Sequence, residues 1–203
     1  MEIEAKIKLK DNEEARFLGN LLGELAHDLE CESTWFTERN LIFTRSGLEG
    51  YLRIRYETTS KSMYEDNIDR IILTYKGKNN SHRMNKREEI QTKIKFGDPE
   101  AFKQILLATG YKLYSAYIKY REVSYLHNKS RSLDAEVSVD WIAPSKEKFS
   151  WFRGDILNRN PKFFLEVEAS TEKKVLSMLK KLGLQDRPII KQSYAQMFAA
   201  SKK

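Results

Sequence analysis

The chain has 203 residues, with 36 Lys and Arg against 29 Asp and Glu, for a formal charge of +7. Hydrophobic residues at 40% with only four prolines and nine glycines exclude a disordered or low-complexity chain. A single cysteine, Cys31, excludes a disulfide framework and a cysteine-based zinc site, and suits a reducing compartment.

No apolar run approaches the ~20 residues of a membrane span, and the N-terminus lacks a signal-peptide stretch. The expectation is one cytoplasmic domain over residues 1–203, monomeric or homodimeric. Excess basic charge suits a nucleic acid, an anionic membrane or an anionic small substrate alike, so the position of the charges must decide.

The first ten residues alternate. Glu2, Glu4, Lys6 and Lys8 share one parity, while Ile3, Ala5, Ile7 and Leu9 share the other, which is a strand pattern. Asp11 and Glu14 have capping-box spacing, and Leu18, Leu21, Leu22, Leu25 and Leu29 form an apolar helical stripe. Extended stretches follow at 35–44, 51–56, 71–76 and 87–94, the last two flanking a polar loop expected to be mobile. Asp98 as N-cap, Pro99 in the first turn and Gly110 as the stop delimit a second helix, with Phe102, Ile105 and Leu106 inward. Strands are expected at 112–122, 123–128, 134–142 and 162–169. A third helix spans 171–182, with Val175, Leu176 and Leu179 apolar and Gly183 closing it, and a short helix covers 193–200. Residues 144–161 read as an irregular surface excursion. About eight strands and three or four helices argue an α+β fold with a large antiparallel sheet.

The polar positions of these strands carry charges of one parity. They are Glu2, Glu4 and Lys6; Arg53 and Arg55; Lys76; Arg87 and Glu89; Lys119 and Arg121; Glu136 and Asp140; Glu166 and Glu168. Acidic strands lie at both chain ends and basic strands in the middle. If the sheet closes with its apolar face under the helices, these charges line a lumen, which is costly unless hydrated or filled by ions and a polyanion. Phosphate chemistry fits: Arg and Lys clamp phosphates, and carboxylates at i and i+2 suit a hard cation such as Mg²⁺ or Mn²⁺.

With EIEAK at the N-terminus, LRIR at 52–55, LTYKGK, REEIQ at 87–91, KYR at 119–121, Asp140, FLEVEA at 164–169 and KQSY at 191–194, the chain resembles the CYTH superfamily of triphosphate tunnel metalloenzymes over nearly its whole length. The resemblance implies a closed antiparallel barrel of eight strands with helices outside, binding a triphosphate and one or two divalent metals. It implies that Glu2 and Glu4 hold metal, joined by Glu166 and Glu168 from the opposite wall, with Asp140 as a further acidic contributor near the metal. Lys6, Arg53, Arg55, Lys76, Arg87, Lys119, Arg121 and Lys191 would hold phosphate, and Glu4, Lys6, Arg53, Arg55 and Arg121 are the expected catalytic set. Two departures stand out. Gln91 replaces the last carboxylate of an R-x-E-x-E pattern, which bears on a second metal. Trp35, Phe36, Thr37 and Glu38 replace Y-F-D-T, a change expected to be structural and outside the tunnel.

The implied activity is metal-dependent hydrolysis of tripolyphosphate, thiamine triphosphate or a nucleoside triphosphate. Alternatives are a class IV adenylate cyclase and a non-catalytic polyphosphate-binding module. A nucleic-acid partner and a membrane are not expected. His27, His82 and His127 are too scattered for zinc. Trp141 and Trp151 are weighed as stacking groups at the tunnel entrance against core packing, the reading preferred for Trp141.

Overall fold

The structure is a computed structural model that describes residues 3–28, 32–59, 68–79, 84–94, 99–127, 133–145 and 156–199. Glu2, Leu29, Cys31, His82, Asp98 and Trp151 lie outside the described residues, as does 146–155 of the irregular excursion.

Nine strands are found among the described residues: β1 Ile3–Lys8, β2 Glu32–Thr44, β3 Gly50–Thr59, β4 Arg70–Gly77, β5 Asn85–Lys86, β6 Glu89–Ile94, β7 Lys112–His127, β8 Leu133–Pro144 and β9 Lys162–Ala169. The helices are α1 Asn12–Asp28, α2 Pro99–Ala108, α3 Glu172–Lys181 and α4 Tyr194–Met197. All the ladders are antiparallel, in the order β5-β1-β9-β8-β7-β2-β3-β4-β6.

The sheet is curled into a half-barrel, which corrects the expected closed barrel of eight strands. The reason lies in residues 85–94. Asn85 and Lys86 pair with β1 and Glu89–Ile94 pair with β4, while Arg87 and Glu88 between them belong to neither ladder. One continuous segment therefore supplies both sheet edges without a ladder joining them. Two expected strands, 112–122 and 123–128, are one 16-residue strand, β7.

Helices α1, α2 and α3 cover the convex face, while α4 packs on the concave side against Ile42, Tyr117 and Phe164. In α1, Ala15, Leu18 and Leu22 are buried against β7, β8 and β9 together with Ile118, Val137, Val139 and Leu165. Each fully buried leucine contributes about 1.5–3 kcal/mol. The capping signal at its start is real: Glu14 N–H donates to the Asp11 carboxylate at 3.0 Å, and the Glu14 carboxylate accepts from the Lys10 amide. In α3, Thr171 is the N-cap, Val175 and Leu179 are buried, and the chain turns at Gly183 with φ 69°. Leu176 points outward instead, at 44% exposed.

On the other flank α2 lays Phe102 and Leu106 over Leu41, Phe43, Ile54 and Ile71. Ile105, expected inward, is 57% exposed, because only one side of this short helix meets the sheet. At the end of the polar loop Met84 and Asn85 are buried, so that end belongs to the fold rather than to solvent.

Gly50 has φ 128°, and a Cβ there would stand 2.3 Å from the Lys76 carbonyl oxygen. Glycine is thus required where β3 meets β4. No helix among the described residues is long and apolar enough to cross a membrane.

Candidate active site

Period-two geometry sends one parity of every strand to the concave face. Strand order then places β1, β9 and β8 side by side, so Glu166 and Glu168 stand on the same acidic wall as Glu4. They are not on the opposite wall expected, because β9 is the ladder neighbour of β1. Glu4, Glu168 and Glu136 face one another in register across these strands, and Lys6, Glu166 and Ser138 form the next row. Like charges directly opposite in a sheet destabilise it unless a cation intervenes. Lys6 supplies a cation for the diagonal pair Glu4 and Glu166: its Nζ lies 3.1 Å from Oε1 of each. Burial alone would favour the neutral amine, but Glu4 and Glu166 outweigh it and raise the Lys6 pKa, keeping the ammonium. Glu4 also accepts from Asn85 Nδ2 at 3.2 Å.

Opposite stands a basic wall of Arg53 and Arg55 on β3, Lys76 on β4, and Lys119 and Arg121 on β7, with Arg87 beside them. Glu89 on β6 ties two of these together, at 2.7 Å from Lys76 and 3.5 Å from Arg53. Burial would raise the Glu89 pKa, but Lys76 and Arg53 lower it below the ordinary carboxylate value. Arg53 also donates to Thr74 Oγ1 at 3.3 Å, while its buried Nε has no hydrogen-bond partner among the described residues.

These walls enclose a cavity of about 180 Å³, with seven cations and five carboxylates on its lining, a difference of +2. Glu4, Lys6, Arg53, Arg55, Lys76, Arg87, Lys119, Arg121, Glu166 and Glu168 all line it. Asp140 does not. It is fully buried on the same concave face, directly opposite Arg121, and accepts from Arg121 Nε at 2.6 Å and Nη2 at 2.7 Å. Arg121 further contacts Glu166, a pairing that lies on the cavity lining.

Lys191 lines a second cavity, of about 600 Å³, with Thr44, Tyr114 and Gln196. The two cavities share Tyr51, Arg87 and Ser193. From the KQSY segment it is Ser193 and Tyr194 that reach the first cavity. Ser193 caps α4 in a reciprocal box with Gln196, which fixes the helix start. The Tyr194 hydroxyl donates to Asp140 Oδ2 at 2.9 Å, and its ring lies 4.1 Å from Lys6 Nζ. Burial, Asp140 and Glu166 push its phenol well up, so it remains a donor.

Glu38 overturns the expectation that the Trp35–Glu38 stretch packs outside. Trp35 does, against Tyr120, but Glu38 is 2% exposed and reaches Lys119 Nζ at 3.2 Å and Arg55 Nη1 at 3.8 Å. On β2 both parities carry apolar residues, Leu41 and Phe43 outward and Ile42 inward, so alternation could not reveal its side. Glu57, likewise missed, lies 2.8 Å from Arg55 and 2.9 Å from Arg70. Its parity with Arg53 and Arg55 was the available signal.

Trp141 does not reach the cavity. It is buried on the convex side, edge-on to Tyr120, and donates Nε1–H to Asn12 Oδ1 at 2.8 Å.

Among the described residues, no three His, Cys, Asp or Glu side chains converge on a metal position. The donor chemistry is nevertheless suited to a hard divalent cation. Glu4, Glu166 and Glu168 offer only oxygens, and such a cation takes its remaining ligands from phosphate and water.

A CYTH domain family model matches residues 1–194. Among the curated proteins none matches the chain. Several solved structures resemble it, among them these three. The PH1819 protein of Pyrococcus horikoshii OT3 is 18% identical, with a TM-score of 0.63 over 97% of both chains. A Vibrio parahaemolyticus protein provisionally assigned as an adenylate cyclase is 12% identical, with a TM-score of 0.58 over 95% of this chain and 94% of that one. The RNA triphosphatase domain of a mimivirus mRNA capping enzyme is 12% identical, with a TM-score of 0.54 over 89% and 84%. At these identities the likeness concerns the fold. With the family model covering nearly all of its length, the chain belongs to the CYTH domain family.

Proposed function

We propose that this protein is a divalent-metal-dependent enzyme that hydrolyses a triphosphate held between the two walls. The observation that carries the reading is the small cavity lined by seven cations and five carboxylates, with a buried Arg53 Nε–H that has no partner among the described residues. A buried guanidinium donor without a partner is costly, and a phosphate oxygen would satisfy it.

Arg53, Arg55, Lys76, Arg87, Lys119 and Arg121 would take phosphate oxygens, with Lys6 reaching from the acidic wall. Asp140 would act through Arg121, holding the guanidinium flat for two-point contact. Glu4, Glu166 and Glu168, with Glu2, would hold Mg²⁺ or Mn²⁺. When bound, that cation would supply charge neutralisation on the phosphate oxygens and favour attack at phosphorus. Phosphoryl transfer asks little covalent chemistry of the protein, so a site made of positioned charges and no obvious nucleophile suits it.

The second cavity favours a substrate with an organic group. It joins the first through Tyr51, Arg87 and Ser193 and has polar and aromatic walls. That observation also keeps open the cyclase reading, in which a ribose hydroxyl attacks the α-phosphate and pyrophosphate leaves. The test is a panel of tripolyphosphate, thiamine triphosphate and ATP with Mg²⁺ or Mn²⁺, assaying phosphate, pyrophosphate and cyclic AMP separately. Phosphate release lost in Glu4→Gln is the expected result. Cyclic AMP with pyrophosphate would replace hydrolysis by cyclisation, and binding without turnover would leave a binding module.

A further inference from the structure

Four of the seven lining cations pair with acids that share the lining: Lys6 with Glu4 and Glu166, Lys76 and Arg53 with Glu89, and Arg121 with Glu166 and Glu136. Arg55 and Lys119 differ. Glu38 and Glu57 hold them from neighbouring buried positions of the same concave face, and neither acid lines the cavity. The two acids stand directly opposite one another in the β2–β3 ladder, an arrangement tolerated because Arg55 lies between them. Glu38 is further fixed by Asn40 Nδ2 at 3.2 Å. Burial works against its charge, but Lys119 and Arg55 outweigh burial and keep it an anion.

We propose that Glu38, assisted by Glu57, is a positioning residue: a resident counter-anion that stabilises Arg55 and Lys119 in the empty site and competes electrostatically with the phosphate chain for them. This rests on the reading of the cavity as a phosphate site. The physical reason is a thermodynamic cycle. A buried cation without its counter-charge is strongly unfavourable. In the empty protein Glu38 supplies that charge, and in the loaded protein the phosphates do. Neutralising Glu38 therefore harms the empty state more than the loaded one, and affinity rises while stability falls. The wild-type carboxylate holds affinity down, so phosphate products leave.

The test uses Glu38→Gln, which keeps the shape and removes the charge. Binding of an imido-bridged, non-hydrolysable tripolyphosphate with Mg²⁺ is followed by calorimetry and by thermal unfolding. The variant is expected to bind about tenfold tighter, equivalent to about 1.4 kcal/mol, with a lower midpoint when empty and a larger ligand-induced rise than wild type. Under turnover its KM falls without a gain in kcat. A purely structural role for Glu38 would lower the midpoint but leave affinity equal or weaker, and that result overturns the proposal. Glu38→Asp, retaining the charge, should move affinity back toward wild type. Should Glu38→Gln not fold, Glu57→Gln decides by the same readout: tighter binding supports the proposal and unchanged or weaker binding overturns it. Failure of the wild type to bind the analogue would instead sink the phosphate-site reading.

Discussion

Arg121 and Asp140 face each other across the β7–β8 ladder in a two-point ion pair at 2.6 and 2.7 Å, with the acid fully buried and the guanidinium reaching the cavity. A third donor, the Tyr194 hydroxyl, ties the same carboxylate to α4. Asp140→Asn should cost about 3–5 kcal/mol, because it leaves Arg121 buried and poorly paired. Denaturant unfolding measures that loss. Activity should fall with it even after correction for the folded fraction, since Arg121 would no longer be held.

The Arg53 guanidinium is buried, and its Nε has no hydrogen-bond partner among the described residues. Arg53→Ala should lower kcat/KM about 100-fold, as expected for loss of a preorganised donor to a charged oxygen. Arg53→Lys should recover only part, because an ammonium cannot reproduce the planar fork. Steady-state kinetics with the active substrate of the triphosphate panel separates the two.

Chelation should abolish turnover while leaving the fold intact, since the apolar core clusters contain no metal ligand. Re-addition of Mg²⁺ or Mn²⁺ should restore the rate. Circular dichroism before and after chelation, paired with the activity assay, checks both halves.

Acid should unfold the protein through its wall acids. Burial disfavours the Glu38 and Glu89 charges, but their cationic neighbours prevail, so both pKa values lie below the ordinary 4.5 in the folded state. A depressed carboxylate adds stability above its unfolded value and loses it as pH falls toward the folded one. Stability against denaturant should therefore lose this contribution progressively below about pH 4.5, and the drop should be shallower in Glu38→Gln.

Trp141→Phe should leave kcat and KM unchanged and cost about 1–3 kcal/mol of stability, because it strands the Asn12 oxygen beneath α1. A change in substrate affinity would contradict the convex-side placement of this indole.

Much of the architecture was legible in the chain. Strict alternation in Glu4–Lys6, Arg53–Arg55 and Glu166–Glu168 placed each set on one face, because a strand's side chains alternate whatever the strand pairs with. The capping box from Asp11 to Glu14 and the left-handed Gly183 marked helix ends for equally local reasons. Local rules failed where a segment is covered on both sides. Strand β2 has helix α2 outside and the charged lumen inside, so apolar residues of both parities concealed Glu38. They failed too where chain direction sets reach. Only the turn into α4 decides that Ser193 and Tyr194 enter the first cavity while Lys191 borders the second.

The sequence by itself determined the family, the α+β class and which charges share a strand face, since these follow from backbone periodicity and side-chain chemistry. Only the tertiary structure decided that β1, β9 and β8 are neighbours, that acids from the two chain ends therefore confront bases from the middle, and that the sheet stays open between β5 and β6. Those facts depend on pairings between residues far apart in the chain, such as Glu4 with Glu168, which no local pattern encodes.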